Sequence, residues 1–400
     1  MMSLPKELRS LLLMGVVSNI VIIYIGIFVN LYIWEQGNSI FDVTWFNLIL
    51  FVAWGVAYAL GSQLLFGRTI RTLYGLSATM GAIAFLVLSL LKLDNQMLWI
   101  VCIAVPVGLM QGFFSAGQNI SLSTLGKGTD FANYMAISAI TGNILNMTVP
   151  LLSALVIKWM GYSGSFICMF VFVGLMLLFS TKLPQVSLIS YAASKGSFWQ
   201  EMRIGKVFNI PGARWFILSC LAAGFILQFQ GLFALLFTFS VTEDKTEIAL
   251  LNMMYTFFAL VALFLFKKLK FMENRWLTAA VLLLTSGMLL MLVPYPVTRI
   301  CANVITTMGM FYFVTVWSGD QIKAVSSLGV VQQSRVLVWR EWFLCITRII
   351  MLILALGIKD FSSMMFIFLA MLTITCLLTV SFFQTKFGAS RKMDNIDLDA

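Results

Sequence analysis

The feature that most limits how this chain can fold is a succession of twelve apolar runs. Each is close to the roughly 20 residues that a helix needs to cross a hydrocarbon core. In the first half they are Leu11–Ile33, Val43–Leu65, Thr72–Leu91, Leu98–Gln118, Tyr134–Ile157 and Gly164–Thr181. In the second half they are Trp215–Val241, Ile248–Phe266, Trp276–Val293, Ile300–Gly319, Val336–Gly357 and Met364–Phe383. Lipid offers no partner to an unpaired backbone group, so such runs require helices and open strands are excluded. The expected fold class is an all-α integral membrane protein with twelve transmembrane helices. Composition agrees, with 60% hydrophobic and 10% charged residues and a mean hydropathy of +0.96, whereas soluble domains carry roughly 25% charged residues. The first run is too long for a signal-peptide core of roughly 7–15 residues and lacks a small-residue cleavage site.

Charge placement sets an expected orientation. The net charge is +10, but the basic residues lie between runs rather than in one patch, so no nucleic-acid partner is expected. With the N-terminus inside, nineteen Lys and Arg fall on the inner side: Lys6, Arg9, Arg68, Arg71, Lys127, Lys182, Lys195, Arg203, Lys206, Arg214, Lys267, Lys268, Lys270, Arg275, Lys323, Arg335, Lys386, Arg391 and Lys392. Only five fall outside: Lys92, Lys158, Lys245, Arg299 and Lys359. Both termini are therefore expected in the cytoplasm of a multi-pass protein of the cell membrane. The outer loops are acidic instead, with Glu35, Asp42, Asp94, Glu243, Asp244, Glu247 and Asp360.

The longest connection, 182–214, divides the chain into an N-terminal six-helix bundle (1–181) and a C-terminal one (215–384), with a cytoplasmic tail at 385–400. Part of that middle loop, from Phe198-Trp199 to Val207-Phe208, has the composition of an interfacial helix. An offset of about 205 residues superposes the halves, as in transporters built from internal repeats. It brings Asn47, in Phe46-Asn47-Leu48, onto Asn252, in Leu251-Asn252-Met253.

A 6+6 arrangement with inner termini and a long middle loop resembles the major facilitator superfamily. Gly26-Ile27-Phe28-Val29-Asn30-Leu31-Tyr32-Ile33-Trp34-Glu35-Gln36 and Phe46-Asn47-Leu48 are similar to the start of a poorly characterised bacterial branch of it. Trp339-Arg340-Glu341, continuing to Thr347-Arg348, resembles a charged segment of the eleventh span in that branch. The superfamily's loop between spans two and three usually reads GxLxDRxGRR; here Leu65 stands where the aspartate belongs, although Arg68 and Arg71 remain. The antiporter-type glycine motif of the fifth span is reduced to Gly142 and Pro150. The resemblance implies a transporter fold and gives no support to drug/proton exchange.

Candidate site residues are the polar groups inside the runs. Arg340, Glu341 and Arg348 lie in an otherwise apolar eleventh run, where each central charge costs roughly 2.5–3.5 kcal/mol on insertion scales. Arg340 and Glu341 are expected one turn from the inner end, within reach of water by snorkelling, whereas Arg348 lies deep. Glu341 and Arg348 share a face about 10 Å apart along the axis. They read either as an anion-attracting site able to couple to protons or as a latch between the halves. Asn143 and Asn146 occupy the fifth run, Asn146 meeting Arg348 at an offset of 202; polar groups of this kind also glue helices together. The resemblance makes the first, fourth, seventh and tenth helices cavity-lining. It thereby nominates Tyr24 and Asn19, Gln111, Ser115 and Gln118, Gln228 and Gln230, and Asn303 and Thr307.

Enzyme chemistry is not expected. Histidine is absent, the six cysteines lie singly inside apolar runs, and no run pairs two carboxylates. Gly126-Lys127-Gly128-Thr129 lacks the preceding glycine of a phosphate-binding loop and reads as a turn. No cofactor or metal is expected, a proton gradient being the only energy source the sequence suggests. The functional expectation is a monomeric secondary transporter of a small organic or amphiphilic molecule, with export favoured. Two rivals remain, a flippase of lipid or lipid-linked sugar with the same fold and a non-transporting membrane sensor. No soluble domain follows the last run, and the tail Arg391–Ala400 reads as disordered.

Overall fold

A computed structural model describes residues 5–91, 93–125, 128–185, 202–208, 212–269, 275–325 and 328–399. Among them there are eleven long helices and no strand. They are α1 (Lys6–Gly37), α2 (Ile40–Gly67), α3 (Ile70–Leu90), α4 (Gln96–Leu125), α5 (Gly128–Ser180), α6 (Ala213–Val241), α7 (Lys245–Lys268), α8 (Trp276–Met291), α9 (Pro296–Val325), α10 (Val330–Ala355) and α11 (Met364–Asp399). Among the described residues, nine helical stretches are long and apolar enough to cross a membrane, and α8 is apolar but shorter. The last 18 residues of α10 hold Arg340, Glu341 and Arg348, which is why it stands outside that set.

The fifth apolar run and all but the last residue of the sixth lie within α5, which Gly161 interrupts with φ 69 and ψ −179. Only glycine adopts that backbone without strain, so the helix turns there into two stretches, 128–160 and 162–180. Within α1 the ladder widens to a π turn at Ile25–Val29. Asn30 follows it and donates its amide back to the Gly26 carbonyl at 3.0 Å. The tail corrects the sequence reading: α11 continues through Asp399, because nothing after Gly388 breaks the helix until the chain ends. The expected interfacial helix is not formed in its described part, where only a 3₁₀ turn, Ile204–Lys206, is present. Lys92, Gly126-Lys127, Lys195, Lys270 and most of the middle loop lie outside the described residues.

The chain divides into two compact units. Unit 1 is Met1–Glu201 with Glu243–Met253 and Val330–Ser334; unit 2 is Met202–Thr242, Met254–Gly329 and Arg335–Ala400. The first two turns of α7 thus cluster with helices from the first half of the sequence.

In unit 1 the closest helix approach is α2 against α4. A Cβ at Gly108 would stand 2.3 Å from the Leu50 carbonyl oxygen, and one at Gly112 would stand 2.5 Å from that of Trp54. The four-residue spacing of Gly108, Gly112 and Ala116 is the small-xxx-small pattern that lets membrane helices touch backbone to backbone. Unit 2 repeats the device between α8 and α9, where a Cβ at Gly287 would stand 2.4 Å from Thr306. Its core is aromatic and aliphatic, with Phe216, Ile226, Trp276, Leu284, Phe313, Trp317 and Leu344 buried together.

Asn47 and Asn252 carry the repeat into geometry. Each donates its amide to the carbonyl four residues earlier, Asn47 to Val43 and Asn252 to Ile248, both at 2.8 Å. Asn47 also donates to the Asn30 side chain at 2.8 Å, tying α2 to the segment just after the π turn.

Candidate functional site

The charges of α10 anchor a polar cluster in unit 2. Arg340 donates through Nε to Gln321 Oε1 at 2.8 Å and through a terminal nitrogen to Glu341 Oε1 at 2.8 Å. Its other terminal nitrogen is 3.4 Å from Ser318 Oγ, and the guanidinium carbon lies 5.0 Å from the Trp317 ring centre. Trp317 in turn donates to Ser219 Oγ at 2.8 Å, and Ser219 donates to Gln384 Oε1 at 3.2 Å. One arginine thereby joins α9 and α10, and Trp317 extends the network to α6 and α11. Five donors in a fixed fork suit a guanidinium to this role better than an ammonium.

That arrangement revises one expectation. Because α10 begins at Val330, six residues before its apolar run, Arg340 and Glu341 sit ten and eleven residues from the helix start, about 15 Å along the axis. They do not snorkel: only 13% and 14% of their side chains is exposed. Arg340 is committed to protein partners and acts as a brace. Glu341 bonds Arg340 through its carboxylate, and its charge favours the charged form of Arg348. Arg348 lies seven residues further along and is partly buried. Beside it, at Gly224, α6 meets α10 so closely that a Cβ would stand 2.1 Å from Thr347 Oγ1.

A second polar seam in unit 2 joins α6 to α9. Gln230 donates to Thr306 Oγ1 at 2.6 Å, and Asn303 donates to the Ala234 carbonyl at 2.9 Å. Asn303 also approaches the hydroxyls of Thr238 and Tyr255, each at 3.4 Å. Gln230 Oε1 and Asn303 Oδ1 are buried acceptors with no hydrogen-bond partner among the described residues. Buried acceptors left open cost stability, so this pair is a place where a ligand N–H or O–H, or a water, gains most. One turn above, Arg299 lies between the Phe237 and Phe361 rings at 5.6 and 4.8 Å and donates to Ser240 Oγ at 2.9 Å. The sequence places Arg299 in an outer loop; it sits in the first turn of α9 instead.

The nominated residues of unit 1 are scattered among roles. The Tyr24 hydroxyl is buried and hydrogen-bonded to Ser165 Oγ at 2.6 Å, linking α1 to α5. Gln118 hydrogen-bonds the Tyr134 hydroxyl. Gln111 and Asn143 are partly buried, and Asn146 is exposed. In unit 2, Gln228 is buried. Of the nominated residues, the structure brings Arg340 and Glu341 into one cluster and places Gln230 in the seam with Asn303. Sequence reasoning missed Trp317, Gln321 and Asn30, whose partners are remote in sequence.

No family model matches the sequence. No curated protein is similar to it in sequence. Solved structures do share its fold. It is similar to PepTSo, a transporter of the POT family, with a TM-score of 0.69 at 11% identity, covering 97% of this chain and 99% of that one. It is also similar to a mutant of the nucleoside transporter NupG, with a TM-score of 0.62 at 15% identity over 94% and 99%. A third similar structure is the bacterial homolog of the human lysosomal transporter Spinster, inward-facing and unoccupied, with a TM-score of 0.61 at 13% identity over 96% of each chain. The chain therefore has the polytopic all-helical fold of these membrane transporters. The likeness is one of fold, over nearly the whole of each chain.

Proposed function

We propose that this chain is a secondary active transporter that moves a small organic or amphiphilic solute across the cell membrane by alternating access. On this reading the chain is of the major facilitator type, with twelve spans once Gly161 divides α5 and two six-helix halves that alternate in access. Both termini are cytoplasmic, on the nineteen-to-five distribution of Lys and Arg. Export is the favoured direction.

The observation that carries this reading is the fold shared from end to end with transporters named for nucleosides and peptides. Arg348 and Glu341 add chemistry to it. Charges held inside an apolar helix are retained at a cost, and the role proposed for Arg348 is to bind an acidic group of the solute. Glu341 is the proposed carrier of coupling protons, since it is the carboxylate between the bracing Arg340 and the deeper Arg348. Gln230 and Asn303 supply acceptors for the solute's donors.

The test is a thermal-shift screen of the purified full chain against nucleosides, peptides, amino acids, drugs and lipids, followed by counterflow in proteoliposomes. Ligand binding raises stability with the logarithm of occupancy. A stabilising solute that also undergoes counterflow, with both effects lost in Arg348→Ala, supports the reading. Stabilisation by lipids alone, with no solute flux, overturns it in favour of a flippase.

A further inference from the structure

Unit 1 holds a cavity of about 490 Å³ that plays no part in the chemistry of α10. It opens where the last turn of α1, the end of α3, the start of α4 and the turn at Gly161 come together. Its wall is aromatic. The Tyr32 ring lies 5.7 Å from Trp99, 4.7 Å from Tyr162 and 5.6 Å from Phe166, centre to centre, so the four rings form one surface. Trp99 is held in place by donating Nε1–H to the Leu91 carbonyl at 3.0 Å. Asp94 is the one charged residue among the described residues that line the cavity, with Gln36 and Ser89 adding neutral polar groups.

Aromatic faces and a carboxylate, with no cation among the described lining residues, select for positive charge: the ring quadrupole attracts cations and repels anions. The same chemistry is already at work at the edge of the cavity. The Lys245 ammonium sits 5.2 Å from the centre of the Tyr162 ring and pairs with Glu35 at 2.8 Å. Tyr162 therefore serves two neighbours, the cavity and an ammonium supplied by α7. The volume suits a small organic molecule, because ligand pockets commonly measure about 300–1,000 Å³.

We propose that this cavity is a second ligand site, separate from Arg348, that takes a substituted ammonium group. Trp99 and Tyr32 stack against the apolar substituents and Asp94 balances the charge. The ligand is either a soluble organic cation or the headgroup of a choline phospholipid, the two sharing the same recognised chemistry.

The experiment is isothermal titration of choline, and of its uncharged isostere 3,3-dimethylbutan-1-ol, into the purified full chain in maltoside micelles. The expected result is saturable choline binding with none for the isostere. Asp94→Asn and Trp99→Leu should each weaken it by about fivefold to tenfold, while Trp99→Phe retains it. Arg348→Ala should leave it unchanged, so the site stands or falls independently of the transport reading. In nanodiscs, choline binding that disappears in phosphatidylcholine but persists in phosphatidylglycerol identifies the lipid headgroup as occupant; persistence in both identifies a soluble cation. Absence of choline binding, equal binding of the isostere, or affinity unmoved by Asp94→Asn overturns the proposal.

Discussion

At the scale of single residues, Arg340 and Arg348 behave as different kinds of charge although they share a helix. Arg340 spends its donors on Gln321, Glu341 and Ser318 and rests on Trp317. Removing one member of a mostly buried ion pair leaves the other uncompensated, so Arg340→Gln is expected to destabilise the protein by roughly 2–3 kcal/mol, seen as a lower Tm. Arg348→Ala is expected to insert and fold but to abolish solute counterflow; unaltered kinetics would remove it from the site. Glu341→Gln is expected to erase any response of flux to a pH gradient, and an unchanged response would place coupling elsewhere. Asp244 gives a pH prediction outside the spans. The backbone N–H groups of Glu247 and Thr246 hold its carboxyl below the ordinary aspartate range. A carboxylate with a lower folded pKa adds stability above its unfolded value and loses it as pH falls through the folded one. The first turn of α7 is therefore expected to fray below about pH 4. Hydrogen exchange reads this directly, and Asp244→Ala should show fraying at all pH.

At the scale of elements, glycine spacing decides which helices touch. Gly108 and Gly112 have no room for a Cβ against α2, and Gly224 has none against α10. Gly112→Leu and Gly224→Leu are each expected to destabilise by about 3 kcal/mol or more, since overpacking of a closed contact forces the backbones apart. A Tm unchanged in either variant would show that the two helices separate freely. Much of this level was legible in the sequence. Eight of the twelve runs fall wholly within a helix and the other four outlast theirs by one or two residues, because length and apolarity are local properties. Thr72–Leu91 and Gly164–Thr181 run one residue past their helices, and Trp276–Val293 and Val336–Gly357 run two, Val293 falling just before Pro294. What was not legible depends on contacts. The early start of α10 at Val330 follows from polar residues, Gln332 and Gln333, that no apolar pattern marks. The partners of Arg340 come from α9, about 20 residues back, and nothing in the spacing of α10 announces them. The π turn at Ile25–Val29 likewise has no signature beyond Asn30.

For the whole molecule, the expected topology can be read chemically. Lys359 and Lys386 are both exposed and lie before and inside α11. With the termini inside, Lys359→Cys is expected to react with an impermeant maleimide in intact cells, and Lys386→Cys only after permeabilisation. The reverse pattern would invert the orientation and with it the assignment of export. The native cysteines, including buried Cys220 and Cys345, would first be replaced by serine or alanine.

Unit 1 claims a piece of chain, Glu243–Met253, that the order of the sequence gives to the other half. A gene divided at the middle loop would therefore not yield two self-sufficient products. The first fragment would lack Lys245 and leave Glu35 without its counter-charge, and the second would display a helix start shaped for a surface it no longer carries. Synthesis of this protein as one polypeptide thus makes the clasp and its seat in equal number.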